Sequence, residues 1–205
     1  GKVFVWPDVV LEKVGPDTLT LGGILWNEGK VKFSGGQITI TTNPLSGNNR
    51  FFRNGGTFEF ANDLTVSGTG VFHNSGTVTK TRGSGTATLG ATRFDSGHWS
   101  IATGTLNLDG GSAPIFLGLP GTQYVDAGLG TLAFNKGTFD LAGLTAAPGS
   151  KVAFTGGTTN FSGAYKADTT TVSGTGTANF NGDYTGATTN VMSGGTANFN
   201  GSPFN

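Results

Sequence analysis

The 205-residue sequence contains no cysteine, which excludes disulfide bonds, thiolate metal sites and a cysteine nucleophile. Charge is also scarce, because only 12% of the residues are charged, and the 12 basic and 12 acidic residues cancel to a formal net charge of +0. The long-range attraction that nucleic acid or an anionic membrane requires is therefore missing. We expect no nucleic-acid partner.

Long apolar runs are absent as well. No segment approaches the ~20 apolar residues of a membrane-spanning helix, and the opening GKVFVWPDVV lacks the zones of a signal peptide. We therefore expect no membrane insertion, and either a removed signal or a fragment of a longer chain.

Glycine and phenylalanine, in contrast, are abundant. The 37 glycines amount to roughly two and a half times ordinary usage, which is unfavourable for helices. Hydrophobic residues make up 35% of the chain and include 16 Phe, enough apolar surface to offset the loss of chain entropy. This composition predicts a folded β-protein.

The sequence repeats itself at short intervals. The hexapeptide TANFNG begins at Thr177 and again, unchanged, at Thr196, and related units begin at Thr158 and Thr138. The same Gly-Thr-apolar step recurs upstream at Gly56 and Gly76 and, more loosely, at Gly29 and Gly97, with one coil unmatched between Gly97 and Gly137. We predict an all-β fold, a single parallel β-helix (β-solenoid) of about ten coils of ~19–21 residues.

Within each unit, apolar and polar residues alternate, which is typical of a strand with one buried face. Aligned on the glycine, the units predict one interior stack and one outer column. The predicted core stack is Phe33, Phe60, Phe161, Phe180 and Phe199, and the predicted outer column is Asn160, Asn179 and Asn198. Lys80 falls in the inner column, and we interpret it as a local register shift or an edge residue.

Glycine also closes the repeats, for example at Gly163 and Gly182. A chain that turns a corner often needs a positive φ angle, which glycine adopts without steric cost. We predict positive φ angles at these closing glycines.

The ends of the chain differ from its middle. Residues 1–28 match the repeat poorly and are predicted to be an N-terminal cap or irregular first coils, and residues 29–205 are predicted to be the solenoid repeats. Since the chain stops within a repeat, we expect residues 192–205 to pack against another copy or against further repeats of the parent protein. Met192, Phe199 and Phe204 are the candidate contact residues, and coverage by the chain's own tail GSPFN is the alternative.

The step FHNSGTV at 72–78, echoed by FRNGGTF at 52–58 and followed by SGTG, GTLNLDGG and GGTTNFSG, resembles a known class of repeat. It is similar to the Gly-, Thr- and Asn-rich repeats of large bacterial surface and secreted proteins of the autotransporter-passenger and filamentous-haemagglutinin type. The resemblance implies a right-handed parallel β-helix, an extracellular or cell-surface location, and a role as adhesin or structural spacer. Surface glycans are the ligands expected for such an adhesin.

Candidate catalytic groups are sparse, so we predict that the chain is not an enzyme and holds no cofactor or metal. Glu59 and Asp140 share a column in the alignment but lie about four coils apart, too far for paired-acid cleavage of a polysaccharide. His73 and His98 are the only histidines and lack metal-ligand spacing.

Two alternatives stay open: a polysaccharide-binding or polysaccharide-cleaving β-helix, and an ice-binding β-solenoid. The second would need paired threonines in the same column on successive coils. In the alignment only Thr77 and Thr79 form such a pair.

Overall fold

The computed structural model describes residues 1–41, 51–90, 92–94, 97–110, 121–126 and 128–201. In this part of the chain every regular element is a β-strand, and the strands coil into a parallel β-solenoid of about nine turns. The predicted all-β parallel β-helix is confirmed, with about nine turns in place of about ten. Some turns are longer than the repeat, since Asn27 and Asn54 occupy the same position in successive turns and are separated by 27 residues. Its right-handedness stays a prediction.

Most turns carry three short strands, and the first strand of each early turn belongs to a five-stranded parallel sheet, here called the N-terminal sheet. Its members are β1 (Lys2–Val5), β4 (Ile24–Asn27), β7 (Phe51–Asn54), β10 (Val71–Asn74) and β13 (Thr92–Phe94). Residues 2–21, within the segment predicted to be a cap or irregular coils, supply the three strands of a first turn that pairs in register with the second.

The second and third strands of the turns form two walls of one long parallel sheet. The first wall contains β2 (Val10–Lys13), β5 (Lys30–Phe33), β8 (Thr57–Phe60), β11 (Thr77–Lys80), β14 (Gly97–Ile101), β16 (Thr122–Val125) and β19 (Gly143–Ala146). The second wall contains β3 (Thr18–Leu21), β6 (Gln37–Ile40), β9 (Thr65–Gly68), β12 (Thr86–Gly90), β15 (Thr105–Asp109), β17 (Thr131–Lys136) and β20 (Lys151–Phe154).

Two longer strands, β22 (Tyr165–Val172) and β24 (Tyr184–Val191), join these walls. The start of β22 pairs with β19 on the first wall and its end pairs with β20 on the second, so β22 runs round the corner between them. A separate C-terminal sheet supplies the leading strand of the late turns. It contains β18 (Thr138–Leu141), β21 (Thr158–Phe161), β23 (Thr177–Phe180) and β25 (Thr196–Phe199).

The core is the narrow interior that the walls enclose. Alternate side chains of each strand point inward, as in Thr158–Phe161, where Thr159 and Phe161 are buried. The largest fully buried side chains are Trp99, Tyr165, Phe33, Phe52, Phe58, Phe60, Phe72, Lys80, Phe134, Phe139, Phe154 and Phe161. All of these side chains except Lys80 are aromatic, in agreement with the Phe-rich composition.

The predicted positive φ angles at Gly163 and Gly182 are wrong, since neither is among the positive-φ glycines, which include Gly157 at +67°. Gly182 is required for a different reason. A Cβ atom on Gly182 would overlap the backbone carbonyl of Gly163 in the turn below. These glycines let successive corners approach closely rather than supply a left-handed conformation.

Candidate functional site

The predicted core residues lie on two different walls of the solenoid. Phe33 pairs in register with Phe60 on the first wall, whereas Phe161 pairs with Phe180 on the C-terminal sheet. The prediction that all five residues form one column is therefore wrong, whereas the predicted column of Phe161, Phe180 and Phe199 is present. The Gly-Thr step marks the corner before the first wall in the early turns and the corner before the C-terminal sheet in the late turns, and the two corners have the same local sequence.

Within the C-terminal sheet, the phenylalanines stack along the solenoid axis. The ring centroids of Phe161 and Phe180 are 5.5 Å apart with planes 3° from parallel, and those of Phe180 and Phe199 are 5.2 Å apart at 17°. On the neighbouring wall Tyr165 and Tyr184 stack at 5.3 Å and 6°. Equivalent aromatic side chains thus stack with nearly parallel rings at this end of the solenoid.

A second ladder, which the sequence analysis did not predict, lies inside the N-terminal sheet. Asn27, Asn54 and Asn74 are completely buried. Asn27 donates through Nδ2 to Asn54 Oδ1, and Asn54 donates to Asn74 Oδ1, each at 2.7 Å. The same Nδ2 groups reach the backbone carbonyls of Thr57 and Thr77 at 2.9 and 3.0 Å. The signal was present in the sequence, because each Asn follows a buried Leu or Phe by two positions.

The first rung of this interior ladder is incomplete. Oδ1 of Asn27 is buried and has no hydrogen-bond partner in the described part of the chain. The residue paired with Asn27 in the first turn is Val5, which is 2% exposed and offers no side-chain donor. Asn27 therefore keeps one unsatisfied acceptor in the core, where such an atom is destabilising.

The predicted outer asparagine residues share one column on the outside of the C-terminal sheet. Asn198 donates to Asn179, Asn179 donates to Asn160, and Asn160 donates to the carboxylate of Asp140, each at 2.7 Å. A parallel row of threonines accompanies them, two positions earlier on each strand. These are Thr138, Thr158, Thr177 and Thr196.

Lys80 lies in the interior, in register with Phe60 below and Ile101 above. The predicted register shift or edge position is wrong, since the pairing is continuous and the side chain is 0% exposed. Its ammonium reaches a corner where the carbonyls of Arg82, Gly83 and Thr103 accept at 2.8, 2.5 and 3.2 Å.

Asp63 completes the surroundings of this ammonium, with a carboxylate oxygen 2.7 Å from Lys80 Nζ. The hydrogen bond from Lys80 holds the pKa of Asp63 below its ordinary value. The ammonium thus connects three successive corners through one cation.

Two more carboxylates on the first wall have lysine partners. Lys30 contacts Glu59 at 2.6 Å, and Lys32 contacts Glu12 at 2.9 Å. Burial of Glu59 opposes its ionisation, but hydrogen bonds from Lys30 and Thr81 outweigh that effect and lower its pKa. A general acid for glycoside cleavage needs a raised pKa, so neither Glu59 nor Asp63 has the property that this chemistry requires.

The acids and histidines that the sequence singled out are dispersed. Glu59 lies on the first wall and Asp140 on the C-terminal sheet, so the expectation of a shared column is wrong. His98 stacks on Tyr124 at 5.0 Å, and His73 follows Arg53 in an outer column of the N-terminal sheet. Among the described residues, no group of three or more His, Cys, Asp or Glu side chains could hold a metal ion.

The candidate self-association residues lie near the last described turns. Met192 is 55% exposed and Phe199 is 37% exposed, while Phe204 lies outside the described residues. Large exposed apolar side chains are also concentrated in the first turn. They are Val3, Phe4, Trp6, Val9, Val10, Leu11 and Val14.

Aromatic residues form a column on the outer side of the N-terminal sheet. Phe4 stacks with Trp6 and with Trp26, each at 5.9 Å, and the guanidinium carbon of Arg53 lies 4.3 Å from the Trp26 ring centre. The indole of Trp26 donates to the Glu28 carboxylate. Aromatic side chains at outward positions distinguish this part of the surface from the Thr- and Asn-rich outside of the late turns.

Comparison with models of protein families, with curated proteins and with solved structures finds no match for this chain. In the described residues, no helix is long and apolar enough to cross a membrane.

Proposed function

We propose that this chain is a non-enzymatic, extracellular structural or adhesive segment of a bacterial surface protein. The observation that carries the proposal is the continuous parallel pairing along the first wall, from β2 through β19 to β22 and β24. About nine turns at the ~4.8 Å strand spacing give a rod about 40 Å long. A rod with internal ladders suits a spacer that holds a binding surface away from a cell. The sequence resemblance to surface-protein repeats supports the same role.

The second part of the proposal is axial association, between copies or with further repeats of the parent protein. Val3 and Leu11 of the first turn are 50% and 37% exposed, and Val191 and Met192 of the late turns are 53% and 55% exposed. Both ends of the described rod therefore present apolar side chains together with strand edges. Contact between such unlike ends does not close on itself and produces filaments.

For the adhesive role we propose surface glycans as ligands and the outer aromatic column of the N-terminal sheet as the contact surface. Trp6 is 65% exposed and Phe4 is 48% exposed, while Arg53 and Glu28 supply polar groups beside Trp26. Exposed apolar patches rimmed by polar groups are typical of binding surfaces. A glycan array probed with the wild-type chain and with Trp6→Ala tests this part, since binding must be seen and must weaken in the variant.

Localisation tests the whole proposal. Antibody labelling and protease treatment of intact native cells should detect the protein at the surface, and retention in the cytoplasm would refute the proposal. Axial association is tested separately by electron microscopy and sedimentation of the purified chain. Filaments that Phe199→Asp abolishes and Asn198→Asp leaves intact are expected, and a monodisperse monomer at high concentration would exclude them.

A further inference from the structure

We propose that the outer face of the C-terminal sheet binds ice. This face, here called the Thr/Asx face, consists of the outward threonine and Asx residues of its four strands. They are Thr138 and Asp140, Thr158 and Asn160, Thr177 and Asn179, and Thr196 and Asn198. The face carries an Asx residue in place of the second threonine of a Thr-x-Thr array, so the repeat along the axis is a Thr-x-Asx pair. The inference is independent of the proposed surface location and of axial association.

The first argument is the two-dimensional regularity of the face. Along the axis, equivalent side chains repeat at the ~4.8 Å spacing of parallel strands. Along each strand, the Thr and Asx positions are two residues apart, so the two columns are separated by about 6.6 Å. The pairing has no register shift through the four strands. Both spacings fall in the range of the oxygen–oxygen repeats on the surface planes of hexagonal ice.

The second argument is the regular packing beneath the face. The ring planes of Phe161 and Phe180 are 3° from parallel, and those of Phe180 and Phe199 are 17° from parallel. These rings lie on the buried side of the same strands that carry the Thr/Asx face. Equivalent side chains therefore repeat from turn to turn on both sides of the sheet.

The third argument is the state of the polar groups. The asparagine amides are fixed by the 2.7 Å ladder from Asn198 to Asn179 and Asn160. Among the described residues, no side-chain hydrogen bond involves the hydroxyl of Thr158, Thr177 or Thr196. These three hydroxyls are therefore available to hold water molecules at lattice spacing, and the threonine methyl groups beside them supply apolar contact.

The fourth argument is charge. Asp140 on the first of the four strands is the single charged residue at the eight outward positions of the face. The outside of the first wall, in contrast, carries Lys30, Lys32 and Glu59 in neighbouring turns. A regular array of uncharged side chains matches a ligand whose own polar groups repeat at fixed intervals and carry no charge. A flexible glycan or peptide does not require such a regular array. Ice is the periodic ligand with this chemistry.

The test measures thermal hysteresis and partitioning into growing ice for the whole chain. We expect hysteresis with shaped ice crystals, and we expect Thr177→Tyr, in the middle of the face, to lose most of both signals. Thr79→Tyr is the matched control, because Thr79 points outward on the first wall, away from the Thr/Asx face. Circular dichroism melting of both variants must match the wild type. If Thr177→Tyr fails to fold, the second variant is Thr177→Ser, which keeps the hydroxyl but removes the methyl group, and we expect it to lose part of both signals. Unchanged signals in a folded Thr177→Ser variant would contradict the role of the methyl groups.

Absence of hysteresis and of ice partitioning in the folded wild-type chain would overturn the proposal. Equal losses in Thr177→Tyr and Thr79→Tyr would overturn it too, because the effect would then not belong to this face. The other periodic surface that could match the face is a second copy of it. Lateral association in sedimentation experiments that Thr177→Tyr abolishes, without any effect on ice, would assign the face to self-association instead.

Discussion

Asn54 donates a hydrogen bond to Asn74 in the next turn of the solenoid, at 2.7 Å and without contact with solvent. Replacing Asn54 by alanine leaves Asn74 Oδ1 and the carbonyl of Thr77 without this donor in the core. We expect Asn54→Ala to lower the free energy of unfolding by about 1–3 kcal/mol, the range for a buried polar group left unpaired. Chemical denaturation measures the change.

The matched control is Asn179→Ala, the middle rung of the outer ladder, with the same 2.7 Å bonds on both sides. Because Asn179 is partly exposed, water can replace its partners, and a cost of about 0.5–1 kcal/mol is expected. Equal losses in the two variants would show that burial does not distinguish the ladders.

The unpaired Oδ1 of Asn27 predicts that a hydrogen-bond donor introduced at position 5 would form a stabilising contact. Val5→Asn places a donor beneath the unpaired Oδ1 of Asn27. The substitution also removes apolar surface, so the gain is measured as a coupling energy. In a double-mutant cycle with Asn27→Ala we expect a favourable coupling of about 1 kcal/mol. A coupling of zero, with both single variants folded, would refute a bond between positions 5 and 27.

The lowered pKa of Glu59 predicts how stability depends on pH. In the folded chain its carboxylate is favoured by Lys30 and Thr81, so its folded pKa lies below the unfolded value near 4.5. The resulting stability is present above the unfolded value and is lost as the pH falls through the lower, folded value. Denaturation at a series of pH values should show a steeper acid loss for the wild type than for Glu59→Gln. Parallel curves would contradict the assignment.

The period-two alternation and the recurring hexapeptide were sufficient to predict the class of fold. Thr177–Phe180 and Thr196–Phe199 are identical in sequence, and identical strands stack in register because each buries the same side chains. The same reasoning could not decide which corner a unit follows. Gly56 and Gly157 both precede a threonine and a strand, yet the first opens the first wall and the second opens the C-terminal sheet.

Other features depend on contacts between distant turns and carry no local signal. A lysine in an otherwise apolar column cannot be assigned to the interior from the alternation alone. Its buried position is explained by the corner carbonyls that accept hydrogen bonds from Lys80. Asn54 and Asn179 are the same residue type with opposite orientation. Phe52 is two residues before Asn54 on the same strand, so both side chains point to the interior. The Thr/Asx face could not be predicted in this way, because it depends on the late units forming a separate sheet.

Phe180 lies between two stacked neighbours and is 1% exposed. Truncation to alanine would leave a cavity that flanking rings cannot fill without breaking the stack. We expect Phe180→Ala to lower the free energy of unfolding by about 3–5 kcal/mol. Phe199→Ala is the control, because Phe199 is 37% exposed and its loss should cost clearly less. A neutral Phe180→Ala variant would refute the buried position.

Lys80 gives the most specific prediction. Lys80→Met keeps the apolar stem in the column of Phe60 and Ile101 but removes the donor to Arg82, Gly83 and Thr103 and the partner of Asp63. Asp63 is 34% exposed and can be solvated after the substitution, so the loss comes mainly from the hydrogen bonds of the buried ammonium. We expect a cost of about 2–3 kcal/mol by chemical denaturation, the upper range for hydrogen bonds to a charged group.

The control is Lys13→Met. Lys13 occupies the same column and also donates to corner carbonyls, those of Val14, Gly15 and Gly35, but two of these contacts are exposed to solvent. Since water can satisfy those carbonyls after the substitution, a loss of about 1 kcal/mol or less is expected. Similar losses in both lysine variants would mean that the closed corner around Lys80 contributes nothing specific.

Chemical rescue separates the role of the cation from the packing of the stem. Lys80→Ala leaves an empty channel that ends at the same three carbonyls and at Asp63. A small alkylammonium ion such as propylammonium carries three donors and one positive charge, and it binds only the folded state, so it should raise the melting temperature of Lys80→Ala in a concentration-dependent way. The wild type, whose channel is filled, should show no such increase. Propanol, which has the same length but no charge, should have no effect on the variant, because the corner offers three carbonyls and a carboxylate that a single hydroxyl cannot satisfy. Equal responses to the ion and the alcohol would assign the effect to filling of the channel and refute the proposed role of the ammonium.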